Sequence, residues 1–383
     1  MCFKEFPSVR EVIRSMPRKS LLGLVNSCLK ILGKQISPNP IPKGVTNTPG
    51  DGDFNKEKFY NYGSILINKE FSNNPTGDFN NVGTLTNGLG GKFGNDFDGL
   101  ISNYGHIEND SFFDNAGFLA NFGDIRNQGS LNLGKSINTG SILNLGGGYM
   151  DNEDRVENYG ALVNEGNGVI MNGLDGKIEN HETVFNQKDA RLINIGVFIN
   201  QQDGQIFNNG KIDTSGNEQG ANGFVNNGTI TGSGVIDGSW IDHGHIKPGN
   251  SAGGNVINGS LLKDGGSIQF ELGGESDANR DRLGSEHDFV DITGDLIIHG
   301  GELDVALIEN FKIQQNQEFI ITKLDGELTG HYDGLKEGAS IGKFESIHGF
   351  KIDLHISYAA GDGNDISLYT EPLTNPEIIF GYL

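Results

Sequence analysis

Cysteine is almost absent from this 383-residue chain, with Cys2 and Cys28 the only two. Both lie near the N-terminus, so the body has neither a disulfide framework nor a cysteine metal site. A body free of cysteine suits a chain exported unfolded through an oxidising compartment. Apolar residues are also sparse, at 35%, which excludes a polytopic membrane protein and predicts no integral span. Basic side chains are outnumbered, 28 against 50 acidic, for a net charge of −22. Residues 1–43 carry eight Lys/Arg and two acidic residues, whereas the remainder carries 20 basic and 48 acidic. Such an acidic body repels phosphate backbones and argues against a nucleic-acid partner, while favouring solubility. Asp-Asp pairs, a P-loop, and Ser-His-Asp or Cys-His arrangements are missing too. No catalytic residue, cofactor or metal is therefore expected.

What the chain does have is glycine, 59 residues, and asparagine throughout, spaced between short apolar runs, a pattern of many short strands. The recurring unit is Asn-x-Gly-x-Φ-x-Asn, with Φ apolar. Six complete copies begin at Asn81, Asn103, Asn121, Asn138, Asn158 and Asn194, another at Asn115 abuts the third, and near-copies begin at Asn61, Leu174, Asn208, Asn226 and Asp242. Successive starts average about 18 residues apart, too short for a TPR or ankyrin unit and lacking leucine-rich or Trp-Asp signatures. Three short strands and three turns of that length make one coil of a parallel β-helix. The predicted fold is all-β, a right-handed parallel β-helix. Each Φ would build an apolar column, and each glycine would supply a positive-φ corner. Asn61, Asn81, Asn103, Asn121, Asn138, Asn158, Asn194, Asn208 and Asn226 would form a structural ladder along a turn.

From about residue 244 the character changes. Gly244–Gly253 contains Pro248-Gly249-Asn250-Ser251, followed by alternating strands such as 265–272, 288–296 and 300–305, a 328–335 stretch, and Gly363-Asn-Asp-Ile-Ser-Leu368. This order resembles the C-terminal part of passenger domains of bacterial type V autotransporters, over about 125 residues. The family turn falls on Pro248, Gly249, Asn250 and Ser251. The resemblance implies a β-helical stalk exported to the surface of a Gram-negative-like bacterium, or released from it. The family's translocator barrel is not within these residues, so display by another anchor, or none, is expected.

The organisation read from this is 1–50, a basic helical segment and linker; 51–250, the Asn/Gly-repeat helix; 251–370, the passenger-like region; and 371–383, a tail. Val9, Val12, Ile13 and Met16, then Leu21, Leu24, Val25, Cys28, Leu29 and Leu32, predict short amphipathic helices, with Pro17 between them. They would cap the first coil, or residues 8–35 would touch an anionic membrane surface or act as an unconventional secretion signal. An uninterrupted apolar run typical of a signal peptide is lacking. Pro38, Pro40 and Pro42 make an extended linker.

Catalysis is the rival reading, because parallel β-helices host polysaccharide lyases and hydrolases. His243-Gly-His245 lies in a degenerate repeat and reads as surface histidine. The richest polar cluster, Glu275–Asp291, reads as a solvated excursion, and Asp362-Gly-Asn-Asp365 is a single copy of a calcium-repeat pattern. The leading expectation is a non-enzymatic, extracellular or surface adhesin-like protein with glycans or other surface proteins as partners. A carbohydrate-active enzyme, or an intracellular or host-directed β-helix, are the alternatives.

Overall fold

In the computed structural model, the described residues are 46–47, 53–55, 58–75, 77–308 and 310–372. The helical segment expected over residues 8–35, the proline linker and most of the tail lie outside them. Among the described residues there is no α-helix, and no helix long and apolar enough to cross a membrane. The fold is all-β, a parallel β-solenoid of about ten turns.

Each turn has three short strands, one on each of three faces. In one early coil these are Asp78–Asn81, Thr84–Asn87 and Lys92–Asn95. Each pairs in parallel with its counterpart one coil on: Leu100–Asn103, His106–Asn109 and Phe112–Asn115. The second and fourth residues of a strand point inward, giving the alternating burial of Thr84–Asn87 or Val169–Asn172. The second residue is the apolar Φ. Leu85, Ile107, Ile125, Ile142 and Leu162 make one fully buried column, each burial contributing about 1.5–3 kcal/mol. Ser136 interrupts the apolar column of the first face. Its hydroxyl bonds the Leu133 carbonyl, and the Leu133 side chain enters the core beside it.

The fourth residue is asparagine, and it is buried. On the first face Asn61, Asn81, Asn103, Asn121, Asn138, Asn158, Asn180, Asn200 and Asn226 form one chain of amide bonds, each Nδ2 donating to the next Oδ1 at 2.7–2.8 Å. The second face carries its own column, Asn87 to Asn208, and the third carries two runs, Asn73–Asn115 and Asn152–Asn194. The same amides satisfy corner carbonyls that would otherwise be buried without donors: Asn121 Nδ2 also reaches Gly123 O at 3.0 Å and Ser141 O at 3.1 Å.

Corner glycines have a different role from the one expected. Gly83, Gly105, Gly123, Gly140 and Gly160 are not in the positive-φ region. A β-carbon at any of them would overlap the carbonyl oxygen of the glycine one coil below, as Gly83 would with Gly63 and Gly105 with Gly83. Close approach of stacked corners, rather than a left-handed backbone, requires glycine there.

Beyond Pro248 the coils lengthen. The long strands Leu261–Leu272 and Leu296–Leu307 pair in parallel, each spanning two faces. Glu318–Leu324 then continues the third face but pairs antiparallel with Asp365–Thr370, which pairs with Lys351–Ala360 and that with Ser340–Glu345. This antiparallel end covers the last coil, with Phe319, Leu354, Ile356 and Leu368 buried against the solenoid core. Asp365 accepts the Leu324 N–H and Asn364 donates to Gly326 O, so both act as hairpin ties.

Candidate functional site

The corners between the second and third faces differ in length over four successive coils. Residues 187–190 form a four-residue corner, 209–210 and 233–234 are two-residue corners, and 249–253 is five residues long. Two short corners flanked by longer ones leave a recess parallel to the solenoid axis. The excursion after Leu272 folds back over its far end. There Arg282 Nη1 donates to Ser233 O at 2.6 Å, and Gly254 N donates to Arg282 O at 3.0 Å. The result is a groove of about 480 Å³. Lys188 and Asp189 stand at one end and Asn250, Arg282 and Leu283 at the other. Arg191, Asn209, Lys211, Ser233 and Val235 form the floor.

Its electrostatics oppose those of the chain. Four cations line it, Lys188, Arg191, Lys211 and Arg282, with Asp189 the only lining carboxylate, in a protein of net charge −22. Arg191 and Lys211 are register partners on adjacent coils. Their partners Asp213 and Asp237 project from the third strand position, two residues further on. The hydrogen bond that Lys211 donates to Asp237 raises its ammonium above the usual range.

A second, smaller cavity of about 180 Å³ adjoins the groove through Asn250. It is lined by the Pro248–Ser251 turn together with Thr231, Lys247, Gln269, Glu271 and Asp288. The turn is tightly held. Gly249 and Ser251 adopt φ of 79° and 97°, and Asn250 Nδ2 donates to Asn209 Oδ1 at 2.8 Å. The Asp288 carboxyl, 1% exposed, accepts Gly253 N and Glu271 N, each at 2.9 Å. Burial pushes it up to about 8, with the Glu271 charge adding to the rise and the two backbone N–H groups opposing it.

Of the residues expected in one ladder, Asn61, Asn81, Asn103, Asn121, Asn138, Asn158 and Asn226 share the first face. Asn194 belongs to the third and Asn208 to the second. Pro248, Gly249, Asn250 and Ser251 come together at the small cavity. His243 and His245 bond Asp264 O and Ser267 Oγ, both at 2.9 Å. The polar excursion is more anchored than a solvated loop. Arg280 pairs with Asp291, donates to Ile320 O, and lies 3.9 Å over the Phe289 ring. Among the described residues no three His, Cys, Asp or Glu are grouped to hold a metal ion. Residue-by-residue reading placed Asp288 in a solvated excursion, whereas it is buried, and missed the groove itself. The varying intervals between successive Asn positions were the one signal that could have located the recess.

No protein-family model matches this chain, and a search of curated proteins finds no match either.

The first-face ladder ends in a buried ion pair. Asn226 donates to Asp242, and Lys263 one coil on donates to Asp242 Oδ2, Gly244 O and Gly265 O. Three oxygen acceptors match the three donors of an ammonium. The pair is 0% and 1% exposed. Burial raises the Asp242 carboxyl above the usual range, and the Lys263 charge opposes that rise.

Proposed function

We propose that this chain is a non-enzymatic, exported β-solenoid that works outside the cell or at the surface of a Gram-negative-like bacterium, binding glycans, cells or its own copies through repeated outer faces. The supporting observation is that outward side chains stack in register, so one chemistry repeats coil after coil. Ile199, Val225, Ile241, Leu262 and Ile297 make a half-buried aliphatic column on the first face. Leu143, Val163, Phe185 and Phe207 make a mixed aliphatic and aromatic column on the second, with the two phenylalanine rings stacked at 4.9 Å. A long rigid platform of this kind presents many weak contacts at once, which is the physics of avidity. The passenger-like order of residues 244–368 supports export.

The test is to incubate purified protein with a polysaccharide panel and with intact cells, measuring retention and newly formed chain ends together. Retention without cleavage is the expected result; bond cleavage above background sinks this reading.

A second reading, a polysaccharide lyase or hydrolase, is favoured by one observation. Asp288 is a carboxyl held protonated near neutral pH beside Glu271 in a cavity, the pairing from which general acid catalysis is built. Under it, Asp288→Asn would abolish a cleavage that the wild type performs.

A further inference from the structure

The groove at the second corner goes unused by an adhesive reading based on apolar columns, and its chemistry is more specific. We propose that it binds an acidic glycan, a chain bearing carboxylate or sulfate groups, laid along the solenoid axis. This rests on the adhesive reading and narrows its ligand class.

Four observations converge. The lining carries four cations and one carboxylate in a chain where acidic residues outnumber basic ones 50 to 28. A local positive site on an acidic body selects small anionic segments, since at physiological salt the surrounding repulsion is screened beyond about 8 Å. Second, Arg191 and Lys211, which also pair with Asp213 and Asp237 outside the lining, sit one coil apart, about 4.8 Å, so two cations repeat along the axis as charges repeat along an acidic polysaccharide. Third, Ser233 lines the groove, and its hydroxyl is buried with no hydrogen-bond partner. A buried hydroxyl in that state costs free energy, which rotation of the side chain towards a bound hydroxyl or acid oxygen would recover. Fourth, Arg282 uses Nη1 on Ser233 O, and no other bond from its guanidinium is made within the groove lining. Lys188 makes no ion pair among the described residues.

The rest of the lining suits sugar better than nucleotide. Asn209, Asn250 and Gln187 present amides, and Leu283, 73% exposed, offers an aliphatic surface to the C–H face of a pyranose. The lining contains no aromatic ring, the platform on which nucleobases stack. The recess spans two short corners, which limits the bound segment to a few sugars.

The test titrates the full chain with oligogalacturonate (carboxylate), chondroitin sulfate fragments (carboxylate and sulfate ester), neutral dextrin and single-stranded DNA. It compares wild type with Lys188→Gln/Arg191→Gln and with Lys92→Gln, a control on the same face but away from the groove. Melting curves verify that each variant is folded. The expected result is that one or both acidic oligosaccharides bind and weaken with added salt, whichever binds identifying the anionic group. The double variant should lose about tenfold or more in affinity, and Lys92→Gln should change nothing. Undiminished binding in the folded double variant overturns the assignment of the groove. Equal, salt-insensitive binding of dextrin overturns the acidic ligand while leaving a glycan adhesin standing. Preference for DNA overturns it in favour of a nucleic acid. If no acidic glycan binds while the protein still adheres to cells, the groove proposal alone falls.

Discussion

Replacing Lys263 by methionine should cost more than any surface substitution in this protein. The change preserves volume but removes the buried cation, leaving Asp242 with hydrogen bonds from Asn226 and the Gly244 backbone N–H. Removing one member of a buried ion pair costs about 3–5 kcal/mol, because the remaining charge has lost its compensation. Lys263→Met combined with Asp242→Asn should recover most of that. A neutral amide at 242 accepts from Asn226 as before and donates to the Gly244 carbonyl that Lys263 releases, so the ladder gains one rung. A double variant within about 1.5 kcal/mol of wild type is expected, since exchanging a whole buried pair for neutral groups is often nearly neutral. Urea unfolding followed by far-UV circular dichroism gives both numbers, provided that the slopes stay equal. The pH dependence adds a check. In Lys263→Met the folded-state carboxyl at 242 sits well above its unfolded value, so stability is greatest below the unfolded value and is lost as pH rises through the folded one. The penalty should therefore shrink towards pH 5. A single variant within about 1 kcal/mol of wild type, or a double variant no better than the single, would refute the idea that this pair ends the ladder.

Three further outcomes follow from the geometry. Gly105→Ala should destabilise by about 1–3 kcal/mol through overlap with Gly83 O, whereas Gly146→Ala, with open space around it, should be near neutral in the same melt. Asp288, ordinarily near 3.8 and here about 8, holds a proton in the folded state over that interval. Its contribution is thus full below about pH 4 and lost as pH rises to 8; Asp288→Asn should flatten that slope in melting temperatures recorded across pH, and an unchanged slope would contradict it. Trp240 is the only tryptophan, 1% exposed and packed on Phe224. Its emission should be blue-shifted and insensitive to iodide until the coils around it unfold, and early quenching would mean that they open locally.

The parallel coil was legible because one short motif encodes both a strand and its corner: Φ must face the core, Asn must close the turn. Which column a given Asn joins was not legible, because all three strands of most coils end in Asn. Asn194 satisfies the motif as well as Asn158 does, and Asn208 at all but its last position, yet both stack in other columns. Irregular corners hide the true period, as where residues 214–223 separate Lys211–Asp213 from Phe224–Asn226. The glycine role was misread because crowding between coils is a property of stacking, invisible to local backbone preference. Pro248–Ser251 stood out in sequence, but the carboxyl that clasps its far side comes from Asp288, 35 residues beyond the N–H of Gly253 that it holds.

Among the described residues, the amide bonds of the ladders on all three faces run one way, from Nδ2 in one coil to Oδ1 in the next towards the C-terminus. Stacked amides aligned head to tail add their dipoles, as peptide groups do along an α-helix. Each column is thus a small macrodipole with its positive end pointing C-terminally. The longest meets an anion at that end, Asp242, where a negative charge is most favoured, and Lys263 then neutralises the anion. The carboxylate that a buried ladder would otherwise reject is what a column of donors calls for where it stops, so the solenoid has a built-in electrical direction along its axis.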